Sequence, residues 1–218
     1  MKFFRTDSIL KKYFLVSFLC FGFLGFSNLA FSNLALAQVA EGENYLDELD
    51  PFDVNIEDKL HQLDQSYLQE TGQSPLVEDE GQLYTDCFRQ TCTIWAHVVK
   101  SQQKVYLYIN GSNEFIWDVS TGVEGRETPD FDKHPNGRIY DRYTSTTYPG
   151  GDYNGLGNMP YAVFIRGGFA IHGTGVKNWP KLGHPASHGC IRLHPDNAKY
   201  FNRLVRQFGI GNTWITVE

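Results

Sequence analysis

Cysteine is scarce in this chain: four among 218 residues, at positions 20, 87, 92 and 190. None of them opens a C-x₂₋₄-C pair followed by a second ligand pair, and the histidines show no H-x₃-H spacing on one helix, so the common structural zinc patterns are missing. No uninterrupted apolar run reaches the ~20 residues of a membrane-spanning helix. The longest, Tyr13 to Phe26, is broken by Ser17 and two glycines. Leu19 stands before Cys20, where a lipid-attachment signal needs a small residue. There is no internal repeat, and no strong excess of basic charge that would indicate a nucleic-acid partner.

What is present begins with a leader. Lys2, Arg5, Lys11 and Lys12 precede the apolar run, and Ala35-Leu36-Ala37 supplies a small-x-small step. This is the pattern of an export signal spanning 1–37, cleaved before Gln38. A retained membrane anchor is the competing reading, and the short apolar core argues against it. Export places the rest in an oxidising compartment, the periplasm, with three cysteines left. Cys87 and Cys92 lie five apart in DCFRQTC, close enough to pair across a small loop, and pairing would leave Cys190 as the free thiol. The alternative is that both are reduced and buried.

Charge divides the mature chain. Residues 38–80 carry thirteen acids against one lysine, whereas 81–218 carry fourteen basic residues and eleven acids, so the net −6 describes neither part. The acidic part reads as an arm or linker. Within it Ile56, Leu60, Leu63 and Tyr67 recur at helical spacing between Asn55, a capping residue type, and Gly72, which predicts a short helix packed on its own domain. From about residue 81 the pattern is β-rich. Strands are expected at Thr93–Val99, Lys104–Ile109 and Glu114–Val119, with Asn110-Gly111 as a hairpin turn. A second hairpin runs Tyr161–Arg166 and Phe169–His172 through Gly167-Gly168. Pro195–Phe208 reads as a helix with proline in its first turn and Gly209 at its end, and Thr213–Val217 as a last strand. The Gly-, Pro- and Tyr-rich stretch 122–160 has the length of a lid or substrate wall, and its Tyr148 and Tyr153, with Trp179 further on, are aromatics that could line a cleft.

The chemistry concentrates in IHGTGVKNWPKLGHPASHGCIRL, residues 171–193. Cys190 follows His188 and Gly189, and His172 stands upstream. A thiol attacks a carbonyl only as thiolate and needs a base beside it, which His172 can supply. Four outcomes are open for this cysteine: nucleophile, metal ligand, half of a disulfide, or buried filler. The metal reading draws on His172, His184, His188, Cys190 and His194 falling within 23 residues. Against it, the cluster contains no carboxylate. His134, His184 and His194 also have plain structural readings, His194 as a helix cap.

His172 followed after fourteen residues by Ser187-His188-Gly189-Cys190-Ile191-Arg192 resembles the signature of the L,D-transpeptidase (YkuD) catalytic domain. Val119-Ser120-Thr121-Gly122, Met159-Pro160-Tyr161 and Leu182-Gly183 with Pro185-Ala186 are similar to its supporting motifs. The resemblance implies a mainly β, sandwich-like catalytic fold with one C-terminal helix, over residues 81–218. It implies a cysteine acyltransferase acting on peptidoglycan stem peptides without metal or organic cofactor, and with an amine, a D-amino acid or a protein as acyl acceptor. It makes Cys190 the nucleophile, His172 the base and the Gly173 carbonyl its orienting partner. Backbone N–H groups of the Ser187, His188, Gly189 turn would serve the oxyanion. Arg192 would pair with stem carboxylates, and Tyr161 is a further substrate-binding candidate. All of this requires Cys190 to be open to a peptide carbonyl. Thr128-Pro129 resembles the start of the family's Thr-Pro-x-Gly step, but Asp130 to His134 follow it, and Pro135-Asn136-Gly137-Arg138-Ile139 restarts the motif as after an insertion. Water as acceptor would give a carboxypeptidase or amidase, and a non-catalytic wall-binding module is the remaining alternative.

Overall fold

Alternating burial builds the larger of two sheets. In the computed structural model, which describes residues 49–77, 87–143 and 152–218, Ile94, Ala96 and Val98 of β1 (Ile94–Val99) face inward with Val105 and Leu107 of β2 (Lys104–Ile109). Period-two placement of apolar residues gives such strands one core face. The leader, with its cleavage step before Gln38, and Tyr148 lie outside the described residues. Within them the protein is mainly β, with one helix near its end and one in the acidic arm.

Strand β2 turns back at Asn110-Gly111, both at positive φ (50° and 78°), into β3 (Ser112–Asp118). This is the conformation a two-residue hairpin demands. Strand β4 (Phe131–Lys133) and the final strand β8 (Thr213–Val217) complete a five-stranded sheet in the order β3-β2-β1-β8-β4, where β1 and β8 run parallel. Three-residue β4 is an edge strand, and Asp132 on it accepts from Arg89, Trp214 and Thr216. The smaller sheet holds β5 (Val163–Arg166), β6 (Phe169–Gly173) and β7 (Ile191–Leu193), with β6 and β7 parallel.

Helix α2 (Pro195–Phe208) packs one face against β6 and β1. His194 caps it by accepting from the Asp196 N–H at 3.4 Å, and Gly209 at φ 85° ends it. Its Ala198, Phe201, Leu204 and Val205 join the main core with Ile94, Leu107, Ile171, Ile191 and Ile215. The arm forms helix α1 (Ile56–Thr71), sixteen residues long, which Gly72 closes in the left-handed conformation; Asn55 stands at its N-terminus but makes no side-chain cap. Leu60 and Tyr67 of α1 are buried in a second cluster with Leu49, Tyr140, Tyr143, Met159, Ala162, Phe164, Ala170 and Cys190. Cys87 and Cys92 are joined in a disulfide across the turn preceding β1. No helix among the described residues is long and apolar enough to cross a membrane.

The segment after β4 is pinned to α2 by charge. Arg203 donates through both Nη atoms to Asp141 at 2.6 and 2.7 Å, with Arg206 3.4 Å away. Burial pushes the Asp141 carboxyl up, but the two guanidiniums more than offset this and hold it below its ordinary 3.8. A depressed carboxylate stabilises the fold at every pH above its unfolded value and stops doing so as pH falls through the folded one. Urea midpoints should therefore drop on acidification from about pH 5 to about pH 2, and drop less in Arg203→Met. The difference is expected to be about 1 kcal/mol or less, because solvent screens the pair.

Candidate active site

Strand pairing brings the histidine and the cysteine together. In the parallel ladder His172 of β6 stands opposite Arg192 of β7, and Cys190 is two residues before Arg192. Alternation then sends His172, Ala170, Cys190 and Arg192 to one face of the small sheet. Ile171, Ile191 and Leu193 point the other way, into the main core. His172 is fully buried and its Nδ1 lies 2.6 Å from the Gly173 carbonyl oxygen. A carbonyl only accepts, so in the neutral ring the proton sits on Nδ1 and the Nε2 lone pair is the basic one.

The turn carrying Cys190 is held from three sides. Ser187 Oγ donates to the Cys190 carbonyl at 2.5 Å and accepts from the Gly189 N–H at 3.2 Å. Gly189 sits at φ 118°, where only glycine is comfortable. Thr128 Oγ1 accepts from the Gly122 N–H and donates to the Gly189 carbonyl at 2.8 Å. The 119–123 strap runs alongside: Ser120 and Arg192 exchange backbone bonds, Thr121 O accepts from the Ala186 and Ser187 N–H groups, and the Val123 N–H donates to Ser187 O. Gln103 in turn clamps Thr121, its amide reaching both Oγ1 (2.7 Å) and the backbone N–H (2.9 Å). Gln103 carries no motif of its own, so sequence reading passes over it, and Thr128 stands out there only for the Thr-Pro step it opens.

Several candidate residues take other places than expected. The Gly189 N–H is engaged by Ser187 Oγ, so it is not aimed at an oxyanion. Arg192 is 3% exposed, and its Nη1 donates to Ala186 O at 2.6 Å. It braces the turn and has no open face for a stem carboxylate. Tyr161 packs half-buried on the main core, with the Lys199 and Arg203 cations over its ring. His188 is half-buried in the turn. His134 Nδ1 pairs with the Thr213 carbonyl at 2.7 Å, and His194 caps α2 against Trp179. Among the described residues no three His, Cys, Asp or Glu side chains converge where an ion could sit, so the zinc reading finds no ligand set there.

The largest departure concerns access. Cys190 forms no disulfide, and it is buried, 1% exposed, with Sγ 3.4 Å from the Gly168 carbonyl oxygen. The expected open thiol is instead covered by the arm. Beside it Tyr143, also 1% exposed, has its phenol pushed well above the usual range, first by burial and then by the charge of a Cys190 thiolate. A cavity of about 330 Å³ opens between α1 and this segment, with Tyr67, Glu70, Tyr140, Arg142 and Tyr143 in its wall.

The L,D-transpeptidase catalytic-domain (YkuD) model matches residues 93–216, more than half of the chain. The chain belongs to this family. No curated protein matches it. Among solved structures it is similar to an L,D-transpeptidase from Mycobacterium smegmatis (19% identity, TM-score 0.43, covering 58% of this chain and 59% of that one). It is similar also to the L,D-transpeptidase LdtMt1 in complex with imipenem (24%, 0.47, 58% and 59%). A third is an L,D-transpeptidase from Stackebrandtia nassauensis (18%, 0.45, 63% and 61%). The chain thus spans about three fifths of these proteins, 59 to 61% of each. The L,D-transpeptidase domain runs from the turn before β1 into β8 and leaves the acidic arm outside it.

Proposed function

We propose that the protein is an exported, periplasmic cysteine transpeptidase that remodels peptidoglycan stem peptides. The observation that carries this reading is the placing of Cys190 and His172 on one face of β6–β7, within a matched L,D-transpeptidase domain, with Nδ1 of His172 anchored on Gly173. His172 Nε2 takes the thiol proton, and the Cys190 thiolate adds to the carbonyl of the third stem residue. The tetrahedral adduct collapses by expelling the terminal D-amino acid, whose amine leaves with the proton from His172, and a thioester remains. An incoming amine gives its proton to His172, attacks the thioester and returns the thiol. A stem amine yields a 3→3 cross-link, a free D-amino acid an exchanged stem, and a protein amine an anchored protein.

Mass analysis after incubation with disaccharide-tetrapeptide tests this. Dimers that have lost D-alanine are expected. Monomeric tripeptides would assign the hydrolase, and tetrapeptide left unchanged both by the wild type and by Asp50→Ala/Phe52→Ala, with active controls, would reject the enzyme. The same chemistry predicts that imipenem, a strained β-lactam, acylates Cys190: one intact drug mass added to the peptide containing that residue, and none in Cys190→Ala.

A further inference from the structure

The acidic arm lies on the face of the small sheet that bears the thiol. Pro51 and Phe52 press on the catalytic turn so closely that a Cβ on Gly189 would meet Pro51 Cγ at 2.9 Å and Phe52 Cε2 at 2.8 Å. Gly168, whose carbonyl oxygen lies 3.4 Å from Sγ, has Pro51 Cα 2.7 Å and Ile56 Cδ1 2.8 Å from its Cβ position. The ring of Phe52 also stands edge-on to Phe169, centroids 5.2 Å apart. A nucleophile must come within ~3–3.5 Å of the carbon it attacks. With space too small for a methyl group above Gly189, and Cys190 1% exposed, no peptide carbonyl can take that position.

The contact is built, not incidental. Beyond the apolar face of α1, four arm carboxylates meet domain groups: Asp50 with Arg126 at 2.6 Å, Glu57 with Arg138 at 3.0 Å, Asp64 with Arg138 at 3.1 Å and with the Tyr140 hydroxyl, and Glu70 with Arg142. Those pairs give the charge division of the sequence a purpose, since the acids of the arm are matched to arginines around the site. Phe52 is nonetheless 46% exposed, and Arg126 and Asp50 keep 44% and 34% of their side-chain surface. Leu49 and Pro51 anchor the piece over the turn, while its ion pair and the Phe52 ring stay within reach of solvent, as in segments that open locally.

We propose that residues 49–71 form an autoinhibitory cap, with Asp50–Arg126 and Phe52 as its latch, which must lift before an acyl donor reaches Cys190. The cap rests on the reading of Cys190 as nucleophile only for its purpose; its existence is a matter of thiol access.

Iodoacetamide alkylation of the full chain, read on the peptide that contains Cys190, measures that access directly. The wild-type thiol is expected to react at least about 100-fold more slowly than glutathione, and Asp50→Ala/Phe52→Ala at least about tenfold faster than wild type. Hydrogen exchange separates lifting from unfolding: amides of Ile56–Thr71 should exchange faster in the variant while those of β6 and β7 keep their wild-type rates. A wild-type thiol as reactive as glutathione overturns the cap. So does a variant no faster than wild type, in the double substitution or in Asp50→Ala alone, or faster exchange in β6 and β7. Turnover keeps the two readings apart. Alkylation that opens without tetrapeptide consumption leaves the cap standing and defeats the transpeptidase; equal tetrapeptide consumption by wild type and variant does the reverse.

Discussion

Cys190→Ser is expected to lower release of D-alanine from tetrapeptide by about 10³-fold or more, the scale of losing a nucleophile from a concerted catalytic unit. The hydroxyl is a far weaker acid than the thiol, so the imidazole of His172 cannot generate the anion, and a weak nucleophile is left against an amide. His172→Ala should cost about 10²- to 10⁴-fold, because it removes the proton acceptor but leaves the sulfur. Neither change should disturb the fold much, since the first swaps one atom and β6 remains paired on both edges. Thermal melts within a few degrees of wild type would establish that. Rates are to be measured in the full chain and again with Asp50→Ala/Phe52→Ala, so that a closed arm does not mask the chemistry. Activity surviving in Cys190→Ser at a tenth of wild type would reject the thioester route.

The second large effect is structural and lies away from the sulfur. A Cβ on Gly122 would fall 1.8 Å from the Arg126 carbonyl oxygen and 2.8 Å from the Thr128 nitrogen, both backbone atoms that cannot rotate away. Gly122→Ala must therefore open the 122–128 turn, and with it the Thr128 hydroxyl that joins Gly122 to Gly189. A destabilisation of about 4 kcal/mol is expected, at the upper end for single substitutions, together with loss of transfer activity. Gly125→Ala in the same turn meets nothing within 4 Å and is strained only through its φ of 78°. It should cost about 1–2 kcal/mol and leave activity near wild type. Urea unfolding of the two variants side by side checks the contrast; equal midpoints would mean that the turn yields more readily than its packing implies.

Most elements of regular length announce themselves in the chain. Helix α2 and strands β2 and β8 fall on the residues that periodicity and punctuation pick out, because Pro195, Gly209 and Asn110-Gly111 set local geometry whatever surrounds them. Strands β4 and β7 do not, since three residues are too few to show a period. Strand β7 exists because β6 offers it an edge, and β4 because β8 does.

In the site the division follows chemical identity against company. Residue types and spacing pick out Cys190 and His172 as candidates without any coordinates, since a thiol and an imidazole in a glycine-rich context are defined by their own reactivity. Arg192 looked like a ligand for carboxylates because a guanidinium is one in water; that it is spent on the Ala186 carbonyl is a matter of who lies beside it. The same holds for Thr128 and Gln103, ordinary residues made into clamps by distant backbone.

By itself the sequence determined the family, the candidate pair Cys190 and His172, and the split between an acidic arm and a β-rich domain, all properties carried by side chains along one dimension. Only tertiary structure decided that the arm folds onto the thiol. Burial and ion pairing here relate residues far apart in the chain, Asp50 to Arg126 and Phe52 to Gly189, and no local pattern encodes which acid will meet which arginine.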